Sequence, residues 1–299
     1  MLLSFVSCVK NKEDDGRLSI VTTNFVLYDL ARAVCGEECN VQMLISPGSE
    51  SHDFESTLSD MAIVEKADLF VYIGGESEEW VGEMFDSMGK SADKIKKLRG
   101  MDLVEIYTEE SLHSQDDHDD HDHGTEDEHI WTSIPNAITI MEKIAEEAVA
   151  LDASLTDSVK SNLEAYKAEL TAVDRELRDV IDTAKRNTIV VCDRFPFRYL
   201  AEEYGLDYHA AFSGCSSDTE PTLAIINSLV EKVKSDSIPT VFIIEFSDGA
   251  TARAVSNETG AKILTLHSAH NVTRADFDGG ITYADIMRQN IEALKAALN

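Results

Sequence analysis

The sequence predicts an α/β protein made of two parallel-sheet lobes that one long α-helix joins. Short apolar runs alternate with helical patterns over residues 18–153 and again over 185–299, as in βαβ units. Between them, residues 154–184 contain neither Gly nor Pro, and their apolar residues recur at three- and four-residue spacing. Ligands of such sheets bind beyond the carboxyl ends of the strands, so we expect a site in the cleft between the lobes.

The N-terminal lobe is expected to span residues 18–153. Apolar runs such as ADLFVYI predict strands at residues 17–22, 41–45, 67–73 and 103–106. Helical spacing predicts helices at residues 24–35, 56–66, 79–87 and 136–150. Pro47-Gly48 and Gly74-Gly75 follow two of the strands and are typical of strand ends.

The linking helix and the C-terminal lobe complete the plan. A helix over residues 154–184 would be roughly 45 Å long and would act as a rigid spine. In the C-terminal lobe, residues 185–299, we expect strands at 188–192, 206–211, 240–245 and 262–266. We expect helices there at 197–203, 222–234, 250–259 and 283–298.

The composition excludes several classes of function. The 299 residues include 26 Lys+Arg and 56 Asp+Glu, a net charge of −30. Nucleic-acid binding and polybasic membrane-surface binding both need clustered cations, so neither is expected. The chain also has no run of about 18 apolar residues, so no transmembrane helix is predicted.

The N-terminus and the cysteines indicate an extracytoplasmic protein. Residues 1–17 are interpreted as a signal remnant and tether, because Phe5-Val6-Ser7-Cys8 resembles the end of a bacterial lipoprotein signal, with Cys8 lipidated. A misplaced start codon would explain the shortness of the apolar run. The remaining even number of cysteines suggests two candidate disulfides, one between Cys35 and Cys39 and one between Cys192 and Cys215. The alternative is that these cysteines are unpaired small apolar residues.

A segment rich in His and Asp interrupts the N-terminal lobe at residues 113–129. It reads HSQDDHDDHDHGTEDEH and has no large apolar side chain, so we expect a loop. His118, His121 and His123 alternate with aspartates, which indicates auxiliary, loose metal binding. The alternative is a solvated linker that its charges keep extended.

Three further histidines follow strand ends or loop ends. His52 lies after the strand at 41–45, His129 precedes an apolar Ile-Trp pair, and His267 follows the strand at 262–266. Neutral imidazole is a good ligand for Zn²⁺, and such a nitrogen-rich set favours Zn²⁺ over Mn²⁺. His270 is a further candidate, although we expect it at the surface or behind the ligands. His209, within a strand pattern, is expected to be structural.

Several motifs occur in a recognisable order over residues 18–299. They are PGSESHDFE, HIWTSIPN, TEPT, VFIIEF, GAKILTL and GGITYADIMRQNIEAL. In this order they resemble the cluster A-I metal-binding proteins, which are solute receptors of bacterial zinc and manganese ABC transporters. The resemblance implies a membrane-anchored, monomeric, non-catalytic receptor that captures Zn²⁺ and delivers it to a permease driven by an ATPase.

One departure from the family pattern affects the ligand set. The family places a third His in a motif like H-x-A-F-x-Y-L-A, where this chain has Arg194. Arginine stays protonated and has no lone pair for a metal. We therefore expect His52, His129 and His267 as ligands, with water or a carboxylate in the fourth position. The candidates for a fourth ligand or a supporting partner are Asp193, Glu220 and Glu245, with Arg194 paired to one of them or to an anion; a Cys215 thiolate is a further alternative.

Three other functions stay open at this point. The loss of the third His can mean that the receptor captures a different ligand. A surface adhesin is compatible with the resemblance, although no motif specifies a protein partner. A zinc hydrolase would use the open metal position, but the sequence contains no H-E-x-x-H, Ser–His–Asp or P-loop pattern.

Overall fold

The computed structural model describes residues 16–50, 54–108, 125–214 and 221–299. These ranges form two four-stranded sheets in which all paired strands are parallel. The first sheet has the order β2-β1-β3-β4, with β1 Leu18–Thr22, β2 Cys39–Met43, β3 Leu69–Tyr72 and β4 Lys96–Arg99. The second has the order β6-β5-β7-β8, with β5 Thr188–Phe195, β6 Asp207–Ser213, β7 Thr240–Ile243 and β8 Lys262–Thr265. The predicted α/β class with two parallel sheets is confirmed.

Helices cover both sheets and connect them. In the N-terminal half they are α1 Phe25–Cys35, α2 Leu58–Val64, α3 Trp80–Met88 and α4 Ile134–Leu151. The linking helix is α5 Thr156–Asp182. In the C-terminal half they are α6 Arg198–Tyr204, α7 Leu223–Ser235, α8 Ala250–Thr259, α9 Arg274–Asp278 and α10 Tyr283–Leu298.

Local sequence explains where the helices next to the strand ends begin. Asn24 caps α1 by accepting a hydrogen bond from the backbone N–H of Leu27 at 3.2 Å. Thr57 starts α2 and Thr282 starts α10, each in a capping box with an Asp three residues later. These caps fix the points at which the chain leaves each sheet edge and enters a helix.

The fourth strand of the first sheet differs from its prediction. The strand expected at 103–106 is absent, and β4 lies at Lys96–Arg99, followed by a 3₁₀ turn at Gly100–Leu103. As an edge strand, β4 exposes Lys96 and Lys97 and buries only Leu98. Its sequence, KKLR, therefore lacks the apolar run on which the prediction depended. The short helix α9 was likewise not predicted.

The linking helix is held by a buried polar cluster that joins three helices. Asp29 of α1 is almost fully buried and accepts hydrogen bonds from the Tyr166 hydroxyl of α5 at 2.6 Å and from the Tyr283 N–H of α10 at 2.8 Å. Arg32 donates to the other carboxylate oxygen at 2.5 Å. Burial raises the pKa of Asp29, while these hydrogen bonds and the Arg32 charge oppose that rise.

The described cysteines are buried free thiols. They are Cys35, Cys39 and Cys192, and the Cys35 side chain is hydrogen-bonded with that of Cys39. The structure thus brings these two expected partners into contact as thiols, and the Cys35–Cys39 disulfide stays a prediction. Cys215 lies outside the described residues, so its pairing with Cys192 also stays a prediction.

Candidate metal centre

A small cavity lies where the carboxyl ends of both sheets face each other. His129 and Glu50 line it from the N-terminal half, and Arg194, Glu245 and His270 line it from the C-terminal half. Its volume of about 20 Å³ is enough for one ion or one water molecule. The position agrees with the cleft that the sequence predicted.

His129 is fully buried, and Asp127 holds it from two directions. The His129 backbone N–H donates to Asp127 Oδ1 at 2.8 Å, and its ring Nδ1 lies 3.1 Å from the same oxygen. A proton on Nδ1 satisfies this carboxylate, which leaves the imidazole lone pair on Nε2. A carboxylate behind a histidine is the usual support of a metal-binding imidazole.

His270 comes from the other half of the chain and is also buried. Its ring lies 5.9 Å from the ring of His129, nearly perpendicular to it, and 4.9 Å from the ring of Trp131. Trp131 in turn donates from Nε1 to the carbonyl of Ser268 at 2.7 Å. The two imidazoles therefore meet across the junction of the lobes on a packed aromatic support.

An unusual backbone turn gives His270 this direction. Ala269 has a φ of 63°, in the left-handed region that a residue with a Cβ rarely adopts. The same region holds Phe246, at φ 62°, which also lines the cavity. Such strained residues cluster at functional sites, where the surrounding structure holds them.

His267 does not line the cavity. Its Nδ1 accepts a hydrogen bond from the Ala269 N–H at 2.9 Å, and its backbone forms two 2.8 Å hydrogen bonds with the Asn290 side chain. It also lies 3.7 Å from Glu245 Oε2 through the same Nδ1. In this geometry, His267 supports the turn that presents His270.

The candidate carboxylates near the cavity are engaged by neighbouring donors. Glu245 accepts from the Ser268 N–H at 2.8 Å and, through its other oxygen, from the Ser268 hydroxyl. Asp193 accepts from the Ser247 hydroxyl and from the Arg194 N–H at 2.9 Å. Arg194 reaches across the cavity to Glu50, with Nη2 3.4 Å from Glu50 Oε2.

The remaining predicted site residues lie outside the described residues. They are Cys8, His52, His118, His121, His123, Cys215 and Glu220. Within the described ranges, no group of three or more His, Cys, Asp or Glu side chains is arranged to hold a metal ion. His129 and His270 are therefore the two imidazoles that the described cavity lining brings together, with Glu50 on the same wall.

Sequence reasoning named His270 only as a further candidate, and it did not name Glu50 as a cavity residue. His270 lies three residues after His267 in TLHSAHN, and only the left-handed turn at Ala269 decides which of the two faces the cavity. Glu50 lies two residues before His52 in the motif already identified as a ligand motif. That proximity was the available signal for Glu50.

The family model described as "Zinc-uptake complex component A periplasmic" matches residues 20–297. The zinc-binding lipoprotein AdcA of Streptococcus pneumoniae is 33% identical over 299 residues, covering 98% of this chain and 58% of AdcA. The high-affinity zinc uptake system protein ZnuA of Bacillus subtilis is 31% identical over 283 residues, covering 94% of this chain and 88% of that protein. The chain thus spans little more than half the length of AdcA.

Solved structures show the same fold. The Zn(II)-bound ZnuA-like domain of Streptococcus pneumoniae AdcA aligns with a TM-score of 0.78 and 30% identity, over 95% of this chain and 99% of that domain. The laminin binding protein Lmb of Streptococcus agalactiae, described as a bifunctional protein with adhesin and metal transporting activity, aligns with a TM-score of 0.80 and 26% identity, over 95% of this chain and 100% of Lmb. The two lobes, the cavity between them and the match over residues 20–297 together establish that this chain belongs to the ZnuA family of zinc-uptake components.

Proposed function

We propose that this chain is the extracytoplasmic receptor of a zinc uptake system. It captures Zn²⁺ in the cavity between its lobes and delivers it to a membrane permease driven by an ATPase, without catalysing a reaction. The observation that carries the proposal is the pair of buried imidazoles, His129 and His270, which meet from opposite lobes at a cavity the size of one ion. The names of AdcA and ZnuA among the relatives support zinc as the cargo.

The proposed ligands are His52, His129 and His270. His52 is retained from the sequence analysis, because the chain enters it two residues after Glu50 on the cavity wall. His270 replaces the expected His267, because His267 uses its Nδ1 to accept the Ala269 N–H and does not line the cavity. Neutral imidazole nitrogens are good ligands for Zn²⁺. Protonated histidine and arginine cannot bind the ion, because they have no free lone pair.

The same proposal places the chain outside the cytoplasmic membrane, held there by a lipid anchor on Cys8. The relative AdcA is named as a lipoprotein, which supports this location. In the described ranges, no helix combines the length and apolarity that crossing a membrane requires. Adhesion to a host protein is a secondary candidate, supported only by the likeness to Lmb.

The test measures zinc stoichiometry and affinity in the full-length chain. His118, His121 and His123 are first replaced by Asn, so that the acidic loop does not contribute ions. We expect one tightly bound Zn²⁺ by equilibrium dialysis against a competing chelator. His129→Ala and His270→Ala should each weaken binding at least 100-fold, about 2.7 kcal/mol, because each removes a metal bond.

His267→Ala is the matched control, since it removes an imidazole three residues away from the same loop. We expect its zinc affinity to change less than about tenfold, as for a supporting residue. A chain in which His267→Ala abolishes binding and His270→Ala does not would contradict the proposed ligand set. Absence of stoichiometric zinc once the loop histidines are replaced would contradict the receptor itself.

A further inference from the structure

We infer that Arg194 sets the metal selectivity of the cavity by holding the Glu50 carboxylate away from the bound ion. Oxygen donors are thereby withdrawn, imidazole nitrogens dominate, and Mn²⁺ is disfavoured relative to Zn²⁺. The inference rests on the proposed function, because it concerns the same cavity. It assigns a role to Arg194, which cannot itself bind a metal because its guanidinium has no free lone pair.

The carboxylates are the first step of the argument. Glu50 and Glu245 are the carboxylates among the described cavity-lining residues. Glu245 has both oxygens engaged by Ser268, one with the N–H and one with the hydroxyl. Glu50 Oε2 faces the Arg194 guanidinium at 3.4 Å. Each carboxylate at the cavity therefore has a donor of the protein as its partner.

The ion pair is built from both sides of the cavity. On one side, the pairing of β5 with β6 shifts register between Val191 and Arg194, and the Arg194 N–H is held by Asp193 at 2.9 Å. On the other side, the Asn271 side chain donates to the carbonyls of Ser46 and Ser49 at 2.9 and 2.8 Å. Asn271 thus anchors the segment that carries Glu50, and both partners keep their positions.

The consequence for selectivity follows from ligand chemistry. Mn²⁺ prefers carboxylate, carbonyl and water oxygens, whereas Zn²⁺ accepts imidazole readily. A guanidinium stays charged at every physiological pH, so Glu50 always has a competing partner. A metal that needs Glu50 must break the pair with Arg194, while a metal satisfied by imidazoles does not.

Simple charge repulsion would give a different result. Arg194 carries one positive charge near a divalent ion, so its removal would strengthen the binding of both metals by the same factor. Under the proposed mechanism, removal of Arg194 favours Mn²⁺ over Zn²⁺, and the change depends on Glu50. The ratio of the two affinities separates these mechanisms.

The experiment compares wild type, Arg194→Met, Glu50→Gln and the double variant, all full-length with the three loop histidines replaced. Zinc and manganese dissociation constants are measured by competition with a metal-sensitive dye. We expect Arg194→Met to shift the affinity ratio toward Mn²⁺ about tenfold or more, the effect typical of a residue that positions a ligand. In the Glu50→Gln background the same substitution should leave the ratio unchanged.

Arg178→Met is the matched control, because it breaks the Arg178–Glu203 ion pair, which joins α5 to α6 outside the cavity lining. The ratio of zinc to manganese affinity in Arg178→Met should equal that of wild type. If Arg194→Met unfolds at a lower temperature than wild type, Arg194→Gln replaces it in the comparison. An unchanged ratio in the Arg194 variants, or a gain that persists without Glu50, overturns the inference while zinc binding stands. A wild-type chain that binds no stoichiometric zinc overturns the proposed function and the inference with it.

Discussion

Glu78 is a carboxyl group that folding buries completely beneath the end of β3. It accepts a hydrogen bond from the Gly74 N–H at 2.8 Å. Burial raises its pKa from 4.5 to about 7, the charge of Glu128 adds to the rise, and the Gly74 hydrogen bond opposes it. The folded protein therefore holds a proton at Glu78 over a pH range in which the unfolded chain has lost it.

This shift predicts that Glu78 makes the protein less stable as the pH rises. Between about pH 4.5 and 7 the folded state binds more protons than the unfolded state, so the free energy of unfolding falls with increasing pH. Ionisation of Glu78 should lower the free energy of unfolding of wild type by about 3 kcal/mol between pH 4.5 and 8, and Glu78→Gln should lack this decrease. Urea unfolding of wild type and variant at both pH values measures the difference.

Glu79→Gln is the control for this prediction, because Glu79 is the exposed neighbour of Glu78 in the chain. Its stability should depend on pH as that of wild type does. Identical pH dependence of wild type and Glu78→Gln would show that the buried carboxyl does not contribute. The comparison cancels the other titrating groups, which are common to all three proteins.

Individual cavity residues were only partly predictable from the sequence. His129 was identified because an acidic loop gives way there to the apolar Ile130 and Trp131, which anchor it. His270 was not chosen, because the left-handed Ala269 that directs it has no signature in the sequence: an alanine gives no reason to expect positive φ. The partner of Arg194 was equally hidden, since Glu50 lies 144 positions away.

At the scale of helices, the Asp29 cluster fixes how α1, α5 and α10 meet. The Tyr166 hydroxyl and the Tyr283 N–H both donate to one carboxylate oxygen, so removal of one donor leaves a buried charge with less stabilisation. This arrangement ties the linking helix to a helix from each lobe. The loss of a single hydrogen-bonding group at this junction should therefore lower the free energy of unfolding measurably.

Tyr166→Phe deletes one hydroxyl from this junction. We expect the free energy of unfolding to fall by about 1.5–3 kcal/mol, as for a hydrogen bond to a charged group. Urea denaturation measures the change. Arg288→Met, which breaks an exposed ion pair between α10 and α5, is the control and should cost less than about 1 kcal/mol. Equal losses in the two variants would mean that Asp29 does not hold the junction.

Long periodic elements were the part of the fold that the sequence predicted best. The linking helix α5 lies within its predicted range, because its spacing of Tyr166, Leu170, Val173 and Leu177 buries one face along 27 residues. Strand β4 was misplaced because an edge strand with exposed lysines carries no apolar run. The boundaries of α2 shifted from the expected residues 56–66 to Leu58–Val64, since the Thr57 capping box decides locally where that helix begins. Helix α10 lies at its predicted residues, 283–298.

At the scale of the molecule, polar contacts hold the lobes together around the cavity. Trp131 donates to Ser268 O at 2.7 Å, and the Tyr283 hydroxyl donates to Trp131 O at 2.6 Å. The backbone N–H groups of Phe25 and Gly48 donate to His270 O and Val272 O at 3.1 and 2.8 Å. The sequence predicted two lobes, but these pairings, more than a hundred residues apart in the chain, have no local signal.

These contacts, together with the linking helix, predict that zinc capture changes the overall shape little. Small-angle X-ray scattering of the full-length chain with and without one equivalent of Zn²⁺ should give radii of gyration within about 1 Å, as for pre-organised binding sites. A domain rotation with a larger decrease on zinc binding would contradict a rigid arrangement. Addition of Mg²⁺ at the same ionic strength is the control for charge screening.

The antiparallel bridge between Thr108 and Glu126 has a practical consequence. It brings the exposed residues Thr108 and Glu126 side by side, just before the Asp127 and His129 pair, although 17 residues of chain lie between them. Because closing a longer loop between fixed ends costs little additional entropy, this position can accept foreign sequence of very different length. A fluorescent reporter domain inserted next to Glu126 would lie three residues along the chain from His129 of the cavity, so its signal would report events at that cavity.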